Sequence, residues 1–228
     1  SNLKVALCLH GYFDSRMDQT SKGSDGYNHI KSRILDKADV DVYIHSWQPE
    51  LKDEIISLYR PKGFVFQYQK DFGPVVKRLG LENLPPDSAA GRSPFTVLSH
   101  FYSVQKCFEQ VPFEDYDIVI KARFDLGRIN RNYAGPGLMN PYPVQCINFD
   151  PELPMDKLHM ANWEFFFDGP ADMWFYGGPE VMKKFTTLYS DVEKHMDETN
   201  VNAVRLYRWW MEQNGLWDVK NPLDTEWE

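Results

Sequence analysis

Tyr116-Asp117-Ile118-Val119-Ile120-Lys121-Ala122-Arg123-Phe124-Asp125-Leu126 is a short apolar run that ends in charge. Ile118 to Ile120, bounded by polar residues, reads as a buried strand. Alternate residues of an extended chain share a face, so Lys121, Arg123 and Asp125 are expected to project together. In an open α/β sheet, ligands bind beyond the carboxyl ends of the strands. Two cations and a carboxylate are therefore expected to leave the core where a ligand sits. These residue types suit a ligand with both phosphate and metal: the cations meet phosphate oxygens, and the carboxylate holds a hard divalent ion.

The segments before this strand alternate in kind. Leu3 to Leu9 reads as a first buried strand, with His10-Gly11-Tyr12 turning out of the sheet. Ser15 to Tyr27 is polar, carries Gly23 and Gly26, and reads as a loop. Ile30, Ile34 and Leu35 recur at helical spacing, and the helix is expected to end near Asp39. Val40 to Ile44 reads as a second strand that leads into His45-Ser46-Trp47. Glu50 to Tyr59 reads as a helix, Gly63 to Tyr68 as a strand, and Pro74 to Leu79 as a short helix. Glu82 to Pro94 is rich in Pro, Gly, Ser and Ala and reads as a loop, and Phe95 to Gln110 as a longer helix. Strands alternating with helices predict a mostly parallel, doubly wound sheet.

After Asp125 the pattern breaks. Asn130 to Pro154 is Pro-rich with little periodicity, and Met173 to Tyr176 is another short apolar run. Val181, Phe185, Leu188 and Tyr189 predict an amphipathic helix, and Asn200 to Asn214 a last one that stops at Gly215.

The 228 residues suffice for one sizeable α/β domain, and 43% hydrophobic with 15% aromatic residues is enough for a packed core. A net charge of −8 argues against nucleic acid as the main partner, because that affinity needs clustered Lys and Arg. Cys8, Cys107 and Cys146 form no CxxC pair and read as buried reduced thiols of a cytoplasmic protein. No apolar stretch reaches transmembrane length.

Four stretches, in this order and spacing, carry a resemblance. They are Val5-Ala6-Leu7-Cys8-Leu9-His10-Gly11, Asp41-Val42-Tyr43-Ile44-His45-Ser46-Trp47, Tyr116 to Leu126, and Asp172-Met173-Trp174-Phe175-Tyr176-Gly177-Gly178 with Val181, Met182 and Phe185. The chain resembles nucleotide-sugar-dependent glycosyltransferases of the glycosyltransferase A fold, most of all poorly characterised bacterial and large-virus enzymes of polysaccharide assembly. The resemblance implies one α/β domain over 1–228, with a Rossmann-related, mostly parallel sheet flanked by helices. Residues 3–126 would then form the nucleotide-sugar half and 127–228 the acceptor half. It implies a hexosyl- or pentosyltransferase whose partners are a nucleoside-diphosphate sugar, UDP first, and a glycan acceptor. It also implies a divalent cation, Mn²⁺ or Mg²⁺, at Asp125. Two departures stand out: Lys121 occupies a position where Arg is more usual, and Arg123-Phe124-Asp125 keeps only the last aspartate of Asp-x-Asp.

On these grounds His10, Gly11, Arg16, His45, Trp47, Lys121, Arg123 and Asp125 are the expected donor-side residues. Each also has a structural reading. Asp125 can cap a turn, and Arg123 can be its bidentate partner. Trp47 can be a core residue, and Arg16 and Lys22 can belong to a solvated loop. Sugar transfer with inversion needs a base for the acceptor hydroxyl, and a carboxylate serves. Asp172 is the first candidate, then Asp168 and Glu164, set among Trp163, Phe165, Phe166, Trp174 and Tyr176. His195 reads as a surface histidine at a helix end. Two other functions remain open. One is a sugar-phosphate nucleotidyltransferase, disfavoured because no cation follows the first strand before Arg16. The other is a non-catalytic carbohydrate-binding protein of the same fold.

Overall fold

The structure is a computed structural model that describes residues 2–14, 22–84, 93–127, 129–130, 142–143, 146–162 and 169–224. In chain order its elements are β1 (Lys4–Gly11), α1 (Gly23–Ile30), β2 (Asp39–Ser46), α2 (Lys52–Tyr59), β3 (Gly63–Phe66), α3 (Gly73–Arg78), α4 (Pro94–Phe108) and β4 (Ile118–Arg123). A two-residue pair follows, β5 (Ile129–Asn130) with β6 (Tyr142–Pro143). Then come β7 (Leu158–Ala161), β8 (Trp174–Gly177), α5 (Pro179–Met182), α6 (Leu188–His195), α7 (Ala203–Gln213) and β9 (Lys220–Leu223).

One seven-stranded sheet runs β3-β2-β1-β4-β8-β7-β9. β1 pairs in parallel with β2 and β4, and β2 with β3. β8 is antiparallel to both β4 and β7, and β9 is parallel to β7, so β8 alone is reversed. The chain is thus a single α/β domain with a mostly parallel sheet flanked by helices, as the alternation of strands and helices predicts. Both sequence halves contribute strands to it. The reversal of β8 has a direct consequence: its amino end lies at the sheet edge where the parallel strands have their carboxyl ends.

β1 is buried on both faces, which explains its near-continuous apolar sequence. Ala6 and Cys8 pack with Val97, Phe101, Val104 and Phe108 of α4. Val5, Leu7 and Leu9 pack on the other face with Ile30, Ile34, Ile55 and Tyr59. Fully burying each large side chain contributes roughly 1.5–3 kcal/mol. The three cysteines are buried and unpaired. Ser93 caps α4 by accepting from the Thr96 amide, Asn202 caps α7, and Gly215 takes a positive φ of 69° just past that helix.

Several expectations change. β1 continues through His10 and Gly11 instead of turning out before them. The polar stretch to Tyr27 is not all loop, since α1 begins at Gly23. Gly26 in α1 and Gly127 in the turn after β4 serve close approach: a Cβ on Gly26 would stand 1.9 Å from the Phe124 carbonyl oxygen, and one on Gly127 would stand 2.0 Å from the His29 ring. α1 is thereby pressed onto the turn after β4. It continues into a π-helical turn over Lys31–Leu35. The helix expected around Val181 to Tyr189 is α5, a 3₁₀ turn over Lys183–Thr187, and α6. β7 and β9 have no counterpart in the sequence reading. The loop expected over 82–94 lies outside the described residues at 85–92, while Pro94 is already the first residue of α4.

Gly26 gives a test with an unusual sign. Replacing a mid-helix glycine by alanine ordinarily stabilises by about 1 kcal/mol. Here the methyl meets backbone, and Gly26→Ala is expected to destabilise by about 1–3 kcal/mol in urea unfolding. A gain in stability would mean that α1 does not sit this close to Phe124.

Candidate functional site

The register lines up three strand ends. His10 on β1 stands opposite His45 on β2 and opposite Arg123 on β4. One pleat earlier, Cys8 stands opposite Tyr43 and Lys121. Residues separated by two share a face, and this is the face that α4 covers. Polar groups therefore occur on the α4 side just where the sheet reaches its carboxyl edge.

Lys121 does not leave the core as expected. It is fully buried. Its ammonium donates to the Asp172 carbonyl oxygen and lies 5.5 Å from the Phe175 ring centre and 5.8 Å from that of Tyr207. An ammonium without water is costly, and the carbonyl and two aromatic faces offset part of that cost.

Arg123 is the hub. Its Nε and Nη2 donate to the two Asp125 oxygens at 3.0 and 2.8 Å, a bidentate pair. Its Nη1 lies 3.5 Å from Asp172 Oδ1. Burial pulls the Arg123 pKa down, but Asp125 and then Asp172 outweigh it, and the net lies above the ordinary value. The structural reading of Arg123 is thus present: it is the partner of Asp125. It also joins Asp125 to Asp172, 47 positions later in the sequence. The reversed β8 makes this possible, because Asp172 precedes its first residue. The side chains of Arg123, Asp125 and Asp172 remain 22, 17 and 13% exposed, so the cluster opens at the rim.

The sequence reading missed α4's contribution. His100, Ser103 and Cys107 of α4, and Gln110 just past its end, follow one another at three- or four-residue spacing on the side that faces the sheet. The His100 ring packs edge-on against His10 at 5.3 Å. His100 Nε2 lies 2.7 Å from the Tyr207 hydroxyl and 3.9 Å from Asp172 Oδ2. Ser103 Oγ bonds His45 Nδ1 at 2.6 Å, and Gln110 donates to the Ile44 carbonyl. The signal was available: polar residues interrupting the apolar series Val97, Phe101, Val104 and Phe108.

His10 is 3% exposed, and its Nε2 has no hydrogen-bond partner among the described residues. Its pKa is held well below the ordinary value by burial first, then by the charge of Lys121, with His100, Arg123 and His45 behind. A buried nitrogen left unsatisfied costs about 1–3 kcal/mol. Within the cluster it is the side-chain atom left unsatisfied among the described residues.

The other expected residues are placed as follows. Gly11 ends β1 with φ 97° and accepts from the Trp47 amide at 3.3 Å. Trp47 is a core residue: Tyr102 stacks on it at 5.6 Å, and His45 and Phe72 meet it edge-on. Gln48, which the sequence did not flag, ties the β1 and β2 exits together. Its Oε1 accepts from the Phe13 and Asp14 amides, and its Nε2 donates to the Asp14 carbonyl. Lys22 flanks α1 and is exposed. His195 lies at the end of α6 and stacks on Trp209 at 3.6 Å. Arg16, Asp168, Glu164, Trp163, Phe165 and Phe166 lie outside the described residues. So the structure brings together His10, His45, Lys121, Arg123, Asp125 and Asp172, with Gly11 at the rim and Trp47 behind them. Among the described residues, no group of three or more His, Cys, Asp or Glu is placed to hold a metal by itself.

No family model matches the chain, and no curated protein matches it. Twenty-five chains of solved structures do. One is the apo form of mouse xyloside xylosyltransferase 1, with TM-score 0.41 and 12% identity, covering 97% of this chain and 85% of that one. At that TM-score the likeness carries no argument; the fold stands on the sheet described above.

His45 supplies a pH test. Burial holds its pKa at about 4, while the Gln67 hydrogen bond pulls weakly upward. The folded histidine is neutral and the unfolded one titrates near 6.5, so the unfolded chain binds more protons between these values. Stability from this group is full above pH 6.5 and is lost as pH falls towards 4. The loss at pH 5 is about 2 kcal/mol. His45→Gln is expected to flatten the stability–pH profile over that window by this amount. An unchanged slope would show that His45 is not buried neutral.

Proposed function

We propose that the protein transfers a sugar from a nucleoside diphosphate, UDP first among them, to a hydroxyl of a glycan acceptor. The observation that carries the reading is the unpartnered His10 nitrogen, inside a buried cluster of Lys121, Arg123, Asp125 and Asp172, at the carboxyl edge of a mostly parallel sheet. That edge is where open α/β sheets bind ligands. The sequence resemblance names which ligand. The finer parts of the proposal follow from it.

The acceptor oxygen attacks the anomeric carbon, and the bond from that carbon to the phosphate oxygen breaks. The electron pair leaves with the diphosphate, and the acceptor proton passes to the Asp172 carboxylate. Configuration inverts. Arg123, held rigid by Asp125, fixes the Asp172 carboxylate, and His100 flanks its other oxygen. Lys121 and Arg123 supply fixed positive field that opposes the growing negative charge without reorganising. His10 Nε2 takes one hydrogen bond to the donor. Asp125 is the carboxylate of the cluster to which the sequence resemblance assigns a divalent ion. That ion, Mn²⁺ or Mg²⁺, would be of the kind held by one carboxylate and substrate phosphates, and it would neutralise diphosphate charge.

Thermal shift with UDP, GDP and their sugars is the first test, since a ligand of the native state raises the melting temperature. His10→Phe is the telling variant. Replacing an unsatisfied imidazole by an apolar ring should leave stability equal or higher, yet abolish the nucleotide-dependent shift. Asp172→Asn should keep the shift and slow transfer by about 10²–10⁴-fold, the usual cost of a lost general base. Slow release of nucleoside diphosphate from a sugar donor supports transfer. Dependence on pyrophosphate would instead show a nucleotidyltransferase, and silence across the panel a non-catalytic binder.

A further inference from the structure

Asp172 is held by three side chains. Lys121 of β4 donates to its main-chain carbonyl. Arg123 Nη1, fixed in turn by Asp125, lies 3.5 Å from its Oδ1. His100 of α4 places Nε2 3.9 Å from its Oδ2. Two of these holders share a further neighbour, Tyr207 of α7. Its hydroxyl oxygen lies 2.7 Å from His100 Nε2, and its ring centre lies 5.8 Å from the Lys121 ammonium. Tyr207 is fully buried, with the Phe101 and Phe175 rings 4.7 and 5.3 Å away between centres. α7 also meets the approach to Asp172. Gly169 is buried against it, and a Cβ there would collide with the carbonyl oxygen of Val204, which lies about one turn before Tyr207.

We propose that Tyr207 is a positioning residue for the Asp172 carboxylate, acting with its hydroxyl through His100 and with its ring through Lys121. The proposal rests on the reading of Asp172 as the base that takes the acceptor proton. Such a base must stand within hydrogen-bond reach of that proton. The sheet alone does not place it. The β4–β8 ladder ends at Ala122 and Trp174, with one further bond from the Arg123 amide to the Met173 carbonyl. Asp172 lies beyond that bond, so side chains fix it. The hydrogen bond at one ring nitrogen sets how a histidine is oriented and where it carries its proton. A carboxylate 3.9 Å away favours the proton on His100 Nε2. The Tyr207 oxygen then accepts from Nε2 and holds the polar edge of the imidazole beside Oδ2. A tyrosine that served the core alone would need only its ring; here the hydroxyl reaches a histidine of the site.

Tyr207→Phe keeps the ring and removes the hydroxyl. Turnover is read as UDP released from the UDP-sugar that the chain uses fastest. The UDP-dependent thermal shift and the KM for that donor are expected to match the parent, while kcat falls by about 10–100-fold, the scale of a carboxylate displaced by up to about 1 Å. Because Tyr207 acts through Asp172, the same change made in Asp172→Asn should slow turnover no further. Carbon-13 NMR of the Asp172 carboxyl, assigned by its loss in Asp172→Asn, reads the placement without substrate. Its resonance is expected to move in Tyr207→Phe and in His100→Gln alike. A parent-like kcat in Tyr207→Phe, equal slowing in both backgrounds, or a carboxyl resonance that stays where it is overturns the proposal. If Asp172→Asn itself turns over like the parent, or no donor is turned over, the reading of Asp172 as the base fails instead. The carboxyl resonance then decides alone whether Tyr207 places that side chain.

Discussion

The Arg123 guanidinium, shared between Asp125 and Asp172, is the interaction on which the site depends. It fastens the exit of β4 to the entry of β8, and so joins the parallel half of the sheet to the reversed strand. Removing one partner from a largely buried ion cluster leaves an uncompensated charge, at a cost of about 3–5 kcal/mol. Such clusters add little net stability over well-packed apolar residues. What this one contributes is placement: a cation and two carboxylates held at fixed positions at the part-exposed rim, with Lys121 buried behind them.

The site runs against the rest of the fold. Elsewhere the sheet is packed as its apolar pattern dictates, with β1 buried between α4 on one face and α1 and α2 on the other. At the carboxyl edge the same face carries His45, His10, Arg123 and Lys121. His45 finds Ser103 and Gln67; His10 Nε2 finds nothing. Local rules of polar satisfaction tend to break where a protein uses the residue for something else. The neutral histidines also make this edge sensitive to acid, because burial opposes their protonation.

Much of the sheet was legible because buried parallel strands write long apolar runs and their helices write a 3.6-residue period. β1, β2 and β4 were readable in this way, as was α7 with its stop at Gly215, although the helix begins at Ala203 and not at the expected Asn200. β7 and β9 were not: each has four residues, and β9 includes Pro222, so neither shows a period long enough to stand out. Gly23 and Gly26 read as loop residues because sequence cannot distinguish a glycine needed for a turn from one needed for close approach. In the site, Asp125, Arg123 and Asp172 were each visible as charge at a strand end. Their meeting was not, since it depends on the reversed direction of β8. Lys121 read as a residue leaving the core because charge is rarely buried; here a backbone carbonyl and two rings hold it inside. His100 was hidden by its neighbours, one polar residue in a helix whose apolar face dominated the pattern.

The central claim is that the cluster at His10 is a ligand site. Nitrogen-15 NMR of the chain's six histidines, recorded while UDP is added with Mg²⁺, tests it most directly. The account predicts that the His10 Nε2 resonance moves to the position of a hydrogen-bonded nitrogen, while that of His159, bonded to Pro154 and Asn221 elsewhere in the sheet, stays where it is. A spectrum in which UDP binds but His10 Nε2 does not move would contradict the account.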